Sequence, residues 1–114
     1  MDQNLEQVRA KHALEKAPDA KKQANEGDCL SGYPSLIINN GLLATLAFSL
    51  DKEKQHLRVG NAVAYHLHHL GVVVQSAPDA AALRDALVKA DSYKLRRATA
   101  EALAFLAYLK RFAK

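Results

Sequence analysis

The side chains most suggestive of chemistry are the run His66-Leu67-His68-His69. On a helix, His66 and His69 are three apart and nearly share a face, so both could reach one ion. A zinc centre needs three or four ligands. No Asp, Glu or Cys stands between Lys54 and Gln75 to supply them locally. No nucleophile is paired with these rings for a general base to act on. The acidic residues form no constellation either. Asp2, Asp19, Asp79 and Asp91 are read as standing near helix starts, where capping and the helix dipole account for them. There is no phosphate loop, no Rossmann glycine run and no nucleophile elbow. The expectation is solvated or partly buried histidines, with no metal, no cofactor and no catalytic centre.

The basic residues are more informative. Net charge is +4, and it is unevenly spread: residues 84–114 carry eight Lys/Arg against three Asp/Glu, residues 1–30 five against six. Such an excess favours an anionic partner. On the last helix, Arg97, Glu101, Ala104, Tyr108 and Arg111 form a stripe beside the apolar seam, flanked by Arg96, Lys110 and Lys114. Guanidinium groups grip phosphates bidentately and a phenol can stack or donate. Arg58, Asn61, Tyr65 and His68 form a similar polar stripe on the third helix. The plainer alternative is an ordinary solvated face, since cations near a helix C-terminus are favoured anyway.

Helices must position these groups. Hydrophobic residues make up 49% of the 114, enough for a core without staples, while aromatics are only 6%, so aliphatic and alanine packing must fill it. Lone Cys29 is read as a partly buried thiol in a reducing compartment. The polar start Met1-Asp2-Gln3-Asn4 is unlike a signal peptide, and no apolar run could span a bilayer. A first helix runs through Leu5, Val8, His12 and Glu15, with Pro18 forcing a break or restart. A second begins near Pro34 and continues to Leu50. Within it, Asn39-Asn40-Gly41 is either a turn between two short helices or a glycine admitting another backbone; the second reading is preferred, with Asn40 bonding a facing element. A third helix spans about Lys54 to Leu70, closed by Gly71. Val72 to Val74 form a link, Ser76 and Asp79 cap a short helix carrying Leu83 and Leu87, and Asp91 or Ser92 caps the last, Tyr93 to about Phe112. That helix bears the clearest seam: Leu95, Ala98, Ala102, Phe105, Leu109 and Phe112. The sequence therefore predicts an all-α fold, a single domain over residues 1–114 with five to six helices in one compact bundle.

Two stretches carry a resemblance. Tyr33-Pro34-Ser35-Leu36-Ile37-Ile38-Asn39-Asn40-Gly41-Leu42 with Leu46-Ala47-Phe48, and Tyr93 through Ala98-Thr99-Ala100-Glu101-Ala102-Leu103 to Lys110-Arg111-Phe112-Ala113, together resemble the small-subunit family of the Cmr (type III-B) CRISPR effector complex. The strong matches cover about 40 residues, in the same order and in a chain of similar length. The resemblance implies a helical, non-catalytic, cytoplasmic subunit whose copies stack beside the other Cmr effector subunits and line the groove where target RNA pairs with guide RNA. Base pairing then reads sequence, and the protein needs only backbone and shape. From the faces alone, Arg96, Arg97, Lys110, Arg111 and Arg58 are the expected RNA contacts, and apolar surface near Tyr33 or Tyr108 the expected stacking surface. The rival readings are a stand-alone helical DNA-binding regulator, disfavoured by the long connector from Gly71 to Pro78, a scaffold meeting acidic protein, and a metal-dependent enzyme built on His66, His68 and His69.

Overall fold

A computed structural model describes residues 3–23, 27–52, 54–72 and 79–113. Among them are six helices and no strand: α1 (Leu5–Ala20), α2 (Tyr33–Asn40), α3 (Leu42–Lys52), α4 (Lys54–Leu70), α5 (Ala80–Lys89) and α6 (Ser92–Phe112). The expected link at Val73 and Val74, the capping role of Ser76, and Asp2 and Lys114 lie outside the described residues. The radius of gyration, 13.0 Å, is that of a compactly packed chain of this length. α4 is the hub, packing on α1, α3, α5 and α6, while α1 lies across α4 and α6.

Short-range chemistry explains most boundaries. Asn4 and Gln7 form a reciprocal capping box at the start of α1. Asp79 accepts from the Ala82 amide and Asp91 from the Lys94 amide, each satisfying an otherwise orphaned donor. Gly71, at φ +87°, closes α4 as expected.

Pro18 does not break α1. It sits in the last turn, where only the Leu14 carbonyl loses a donor, and both residues are exposed, so water reaches that group. The buried face of α1 also differs from the expected one. It consists of His12, Ala13, Ala17 and Ala20, while Leu14 is 61% and Leu5 41% exposed.

The preferred reading of Gly41 is corrected. Gly41 is exposed, has open space around it and adopts φ +91°, so it is a joint between α2 and α3 and not a close helix contact. Its amide donates to the Ile37 carbonyl at 2.8 Å, ending α2, and its own carbonyl accepts from the Thr45 amide and hydroxyl, starting α3. Asn40 is likewise exposed, and no hydrogen bond ties its side chain to a facing element among the described residues.

The glycine that admits a neighbour is Gly60, in the middle of α4. A Cβ there would lie 3.2 Å from Tyr33 Oη, 3.3 Å from Ala80 Cβ and 3.5 Å from Ser49 Cβ. Those neighbours cannot easily yield. Tyr33 is fully buried, and its hydroxyl shares a 2.7 Å hydrogen bond with Ser49, which in turn donates to the Thr45 carbonyl. The burial of Tyr33 also removes it from the expected stacking surface. Gly60→Ala gains about 1 kcal/mol of helix propensity and loses about 2 kcal/mol to overpacking. A net loss of about 1 kcal/mol in denaturant unfolding should follow, and a stabilised Gly60→Ala protein would show that the contact is slack.

Candidate functional site

The histidine run does not act as a unit. His66 points inward and is fully buried; the His69 ring meets the Tyr65 carbonyl at 2.9 Å; and His68 Nδ1 is buried without a hydrogen-bond partner among the described residues. No group of three or more His, Cys, Asp or Glu among the described residues could hold a metal ion.

His66 instead belongs to a network joining three helices. His66 Nδ1 lies 2.8 Å from His12 Nδ1 on α1, and His66 Nε2 lies 2.8 Å from Glu101 Oε2 on α6. Arg9 on α1 grips the same carboxylate with both ends of its fork, Nε to Oε2 and Nη2 to Oε1, each at 2.7 Å. The His66 ring stacks on Phe105, centroids 4.5 Å apart and planes 9° off parallel. Partner chemistry fixes the tautomers. An ionised carboxylate only accepts, so His66 Nε2 carries a proton. A neutral His66 then offers Nδ1 as an acceptor, and His12 Nδ1–H donates to it.

Environment holds these groups in that state. Burial lowers the pKa of both His12 and His66; repulsion between the two rings when charged lowers that of His12 further, while the hydrogen bond to Glu101 only partly restores that of His66. Burial pushes the Glu101 carboxyl up, but hydrogen bonds from Arg9 and His66 and the Arg9 charge outweigh it and keep the group below the usual carboxylate range. The Glu101 hydrogen bond raises Arg9 in turn.

The network reshapes the stripe expected on the last helix. Glu101, its second member, is only 8% exposed, and Tyr108 is half-buried, its hydroxyl donating to Glu6 at 3.1 Å. α1 covers that strip. What remains open on α6 are its two ends: Arg96 and Arg97, then Lys110 and Arg111, all exposed, with exposed Ala100 and Ala107 between. Helical geometry puts the four cations within an arc of roughly 140° and the two pairs about 21 Å apart along the axis.

Arg58 has a different task. Its Nε donates to the Asp19 carbonyl at 2.6 Å and its Nη2 reaches the Lys21 carbonyl at 3.4 Å, serving the orphaned carbonyls at the end of α1. Two more members of its stripe are similarly occupied: Asn61 accepts from the Ala80 amide, and Tyr65 donates to Glu15 with Lys16 over its ring. Conversely, Lys21 and Lys22, which no sequence pattern singles out, share with Lys110 a surface depression of about 460 Å³ that also includes Asp28. Only the fold brings residues this far apart in the chain together.

No curated protein matches the chain. The X-ray structure of a CRISPR-associated Cmr5 family protein from Thermus thermophilus is similar, with a TM-score of 0.71 and 30% identity over 97% of this chain and 96% of that one. A family model described as CRISPR-associated protein (Cas_Cmr5) matches residues 5–114, which include every described helix and both stretches that carry the sequence resemblance. The chain belongs to the Cmr5 family, the small subunit of the type III-B (Cmr) CRISPR effector complex.

Proposed function

We propose that this protein is a non-catalytic, cytoplasmic subunit whose copies stack beside the other Cmr subunits and whose α6 face contacts the backbone of guide or target RNA. The observation that supports this most is the pair of exposed cation clusters at the two ends of α6, Arg96–Arg97 and Lys110–Arg111, with small side chains between them. Phosphates on one strand can meet both ends, and alanines present nothing that reads a base edge. Lys21 and Lys22 extend the Lys110 end. Arg58 is left out, because its donors already serve backbone carbonyls. Exposed Leu14, Ile38 and Val88 offer apolar area for contact between neighbours.

The test replaces Arg96, Arg97, Lys110 and Arg111 together by Ala and measures target-RNA binding by the assembled complex across a salt series. Removing one cation–phosphate interaction with a single strand lowers the slope of log K against log salt by about 0.7, so removing four lowers it by about 3. An unchanged slope, in a complex shown to retain the subunit, rules this face out. Tighter binding of isolated protein to duplex DNA than to RNA would favour the regulator instead.

A further inference from the structure

α1 is held to the bundle in an unusual way. Its buried face is three alanines and a histidine, and its larger apolar residues Leu5 and Leu14 stay exposed. Polar ties do the rest: Arg9 to Glu101, His12 to His66, Tyr65 to Glu15, Tyr108 to Glu6, Arg58 to the Asp19 carbonyl, and Gln55 to the Ala20 carbonyl. An element that buries little apolar area opens on its own more readily than the core does.

We infer that the His12–His66 contact is a proton-limited latch, and that charging the two rings releases α1 from α4 and α6 while the remaining helices stay packed. With Glu101 fixing the proton on His66 Nε2, the 2.8 Å gap between the two Nδ1 atoms holds one proton. A second proton there sets two N–H donors against each other, so both rings cannot be charged while α1 is docked. Undocked, each ring sees water and charges independently.

The charged surroundings do not relieve this. From α1, Arg9 and Lys11 oppose a further positive charge and Glu15 favours one; from α4 come Tyr65 and His69; from α6 comes Glu101, already shared between Arg9 and His66. α3 and α5 meet α4 at Gly60 through Ser49 and Ala80, which carry no charge. Because the docked rings have lowered pKa values, the docked state binds fewer protons than the undocked state as pH falls below the ordinary value. Docking is therefore full above about pH 6.5 and weakens in acid. One ring with an ordinary pKa of about 6.5 when undocked, and held neutral when docked, raises the undocked fraction about 30-fold between pH 7.5 and 5.0.

Amide hydrogen exchange on the whole protein, corrected for intrinsic rates, tests the latch. Protection of α1 amides beyond the first turn should fall at least about tenfold relative to α6 amides over that pH range. In His12→Asn, whose side-chain amide can turn from donating to a neutral His66 to accepting from a charged one, the contact no longer excludes a proton and the ratio should stay within about twofold. Loss of protection in α1 and α6 together, or an unchanged pH response in His12→Asn, overturns the proposal. Should His12→Asn fail to fold, NMR titration of the imidazoles in the unaltered protein decides. The latch requires that at least one of them titrate below the ordinary value and in step with α1 protection. Two rings titrating as free histidines while α1 protection stays constant exclude it.

Discussion

Glu101→Ala should lower the unfolding free energy by about 3 kcal/mol, one of the two largest losses expected in this protein. The carboxylate accepts three hydrogen bonds from two other helices, and its removal leaves the fully buried His66 with an Nε2–H that has no acceptor. The low end of the range for a broken buried pair applies because the Arg9 side chain is 24% exposed and can turn to water. Glu101→Gln keeps one acceptor but aims an amide at the other donor, so about half the loss is expected. Denaturant titration with an unchanged m-value is the measurement. A loss below about 1 kcal/mol would mean that the network only decorates the helix contact.

Phe105→Ala should lose about 4 kcal/mol, within the range for emptying a buried aromatic site. Phe105 is fully buried and provides the flat surface on which His66 rests. Because both substitutions unsettle the same imidazole, the double variant should lose less than the sum of the two, by more than about 0.5 kcal/mol. Strict additivity would show that stacking and hydrogen bonding hold His66 independently.

Much of the fold is legible in the sequence because its signals are local. The Lys54 to Leu70 helix with Gly71 behind it, the cap at Asp91, and the seam from Ala98 to Leu109 all depend on spacing and short-range chemistry. Asp79, however, proves to be the cap itself and not the third residue of a helix opened by Ser76, and Phe112, at the end of the seam, is 38% exposed. Two misreadings share a cause. Sequence alone makes Gly41 a packing point and Glu101 part of a solvated stripe, and each is decided by which other element lies alongside; Pro18, read as a break, is tolerated because it falls in the last turn of α1. A glycine between apolar runs serves a joint or a close contact equally well, and Gly60, which is the close contact, carries no distinguishing signal in its neighbours. The burial of Glu101 leaves a faint trace in the sequence. Arg9 and His12 stand three apart on a helix whose small residues, Ala13, Ala17 and Ala20, mark the side pressed against the bundle. A cation and an imidazole beside an alanine stripe are met here by a buried acid, and only the tertiary fold tells which one. The contacts of Arg58 are equally hidden from the sequence: its partners are carbonyls at the end of a helix roughly 40 residues away in the chain.

The alanine lining of α1 also has a thermal consequence. The heat-capacity increment of an unfolding step grows with the apolar area it uncovers. Peeling away a helix whose hidden face is mainly methyl groups uncovers less than melting the rest of the core does, so the enthalpy of that step varies less between cold and warm. Its equilibrium therefore drifts more evenly with temperature, whereas melting of the five-helix remainder follows the usual dome.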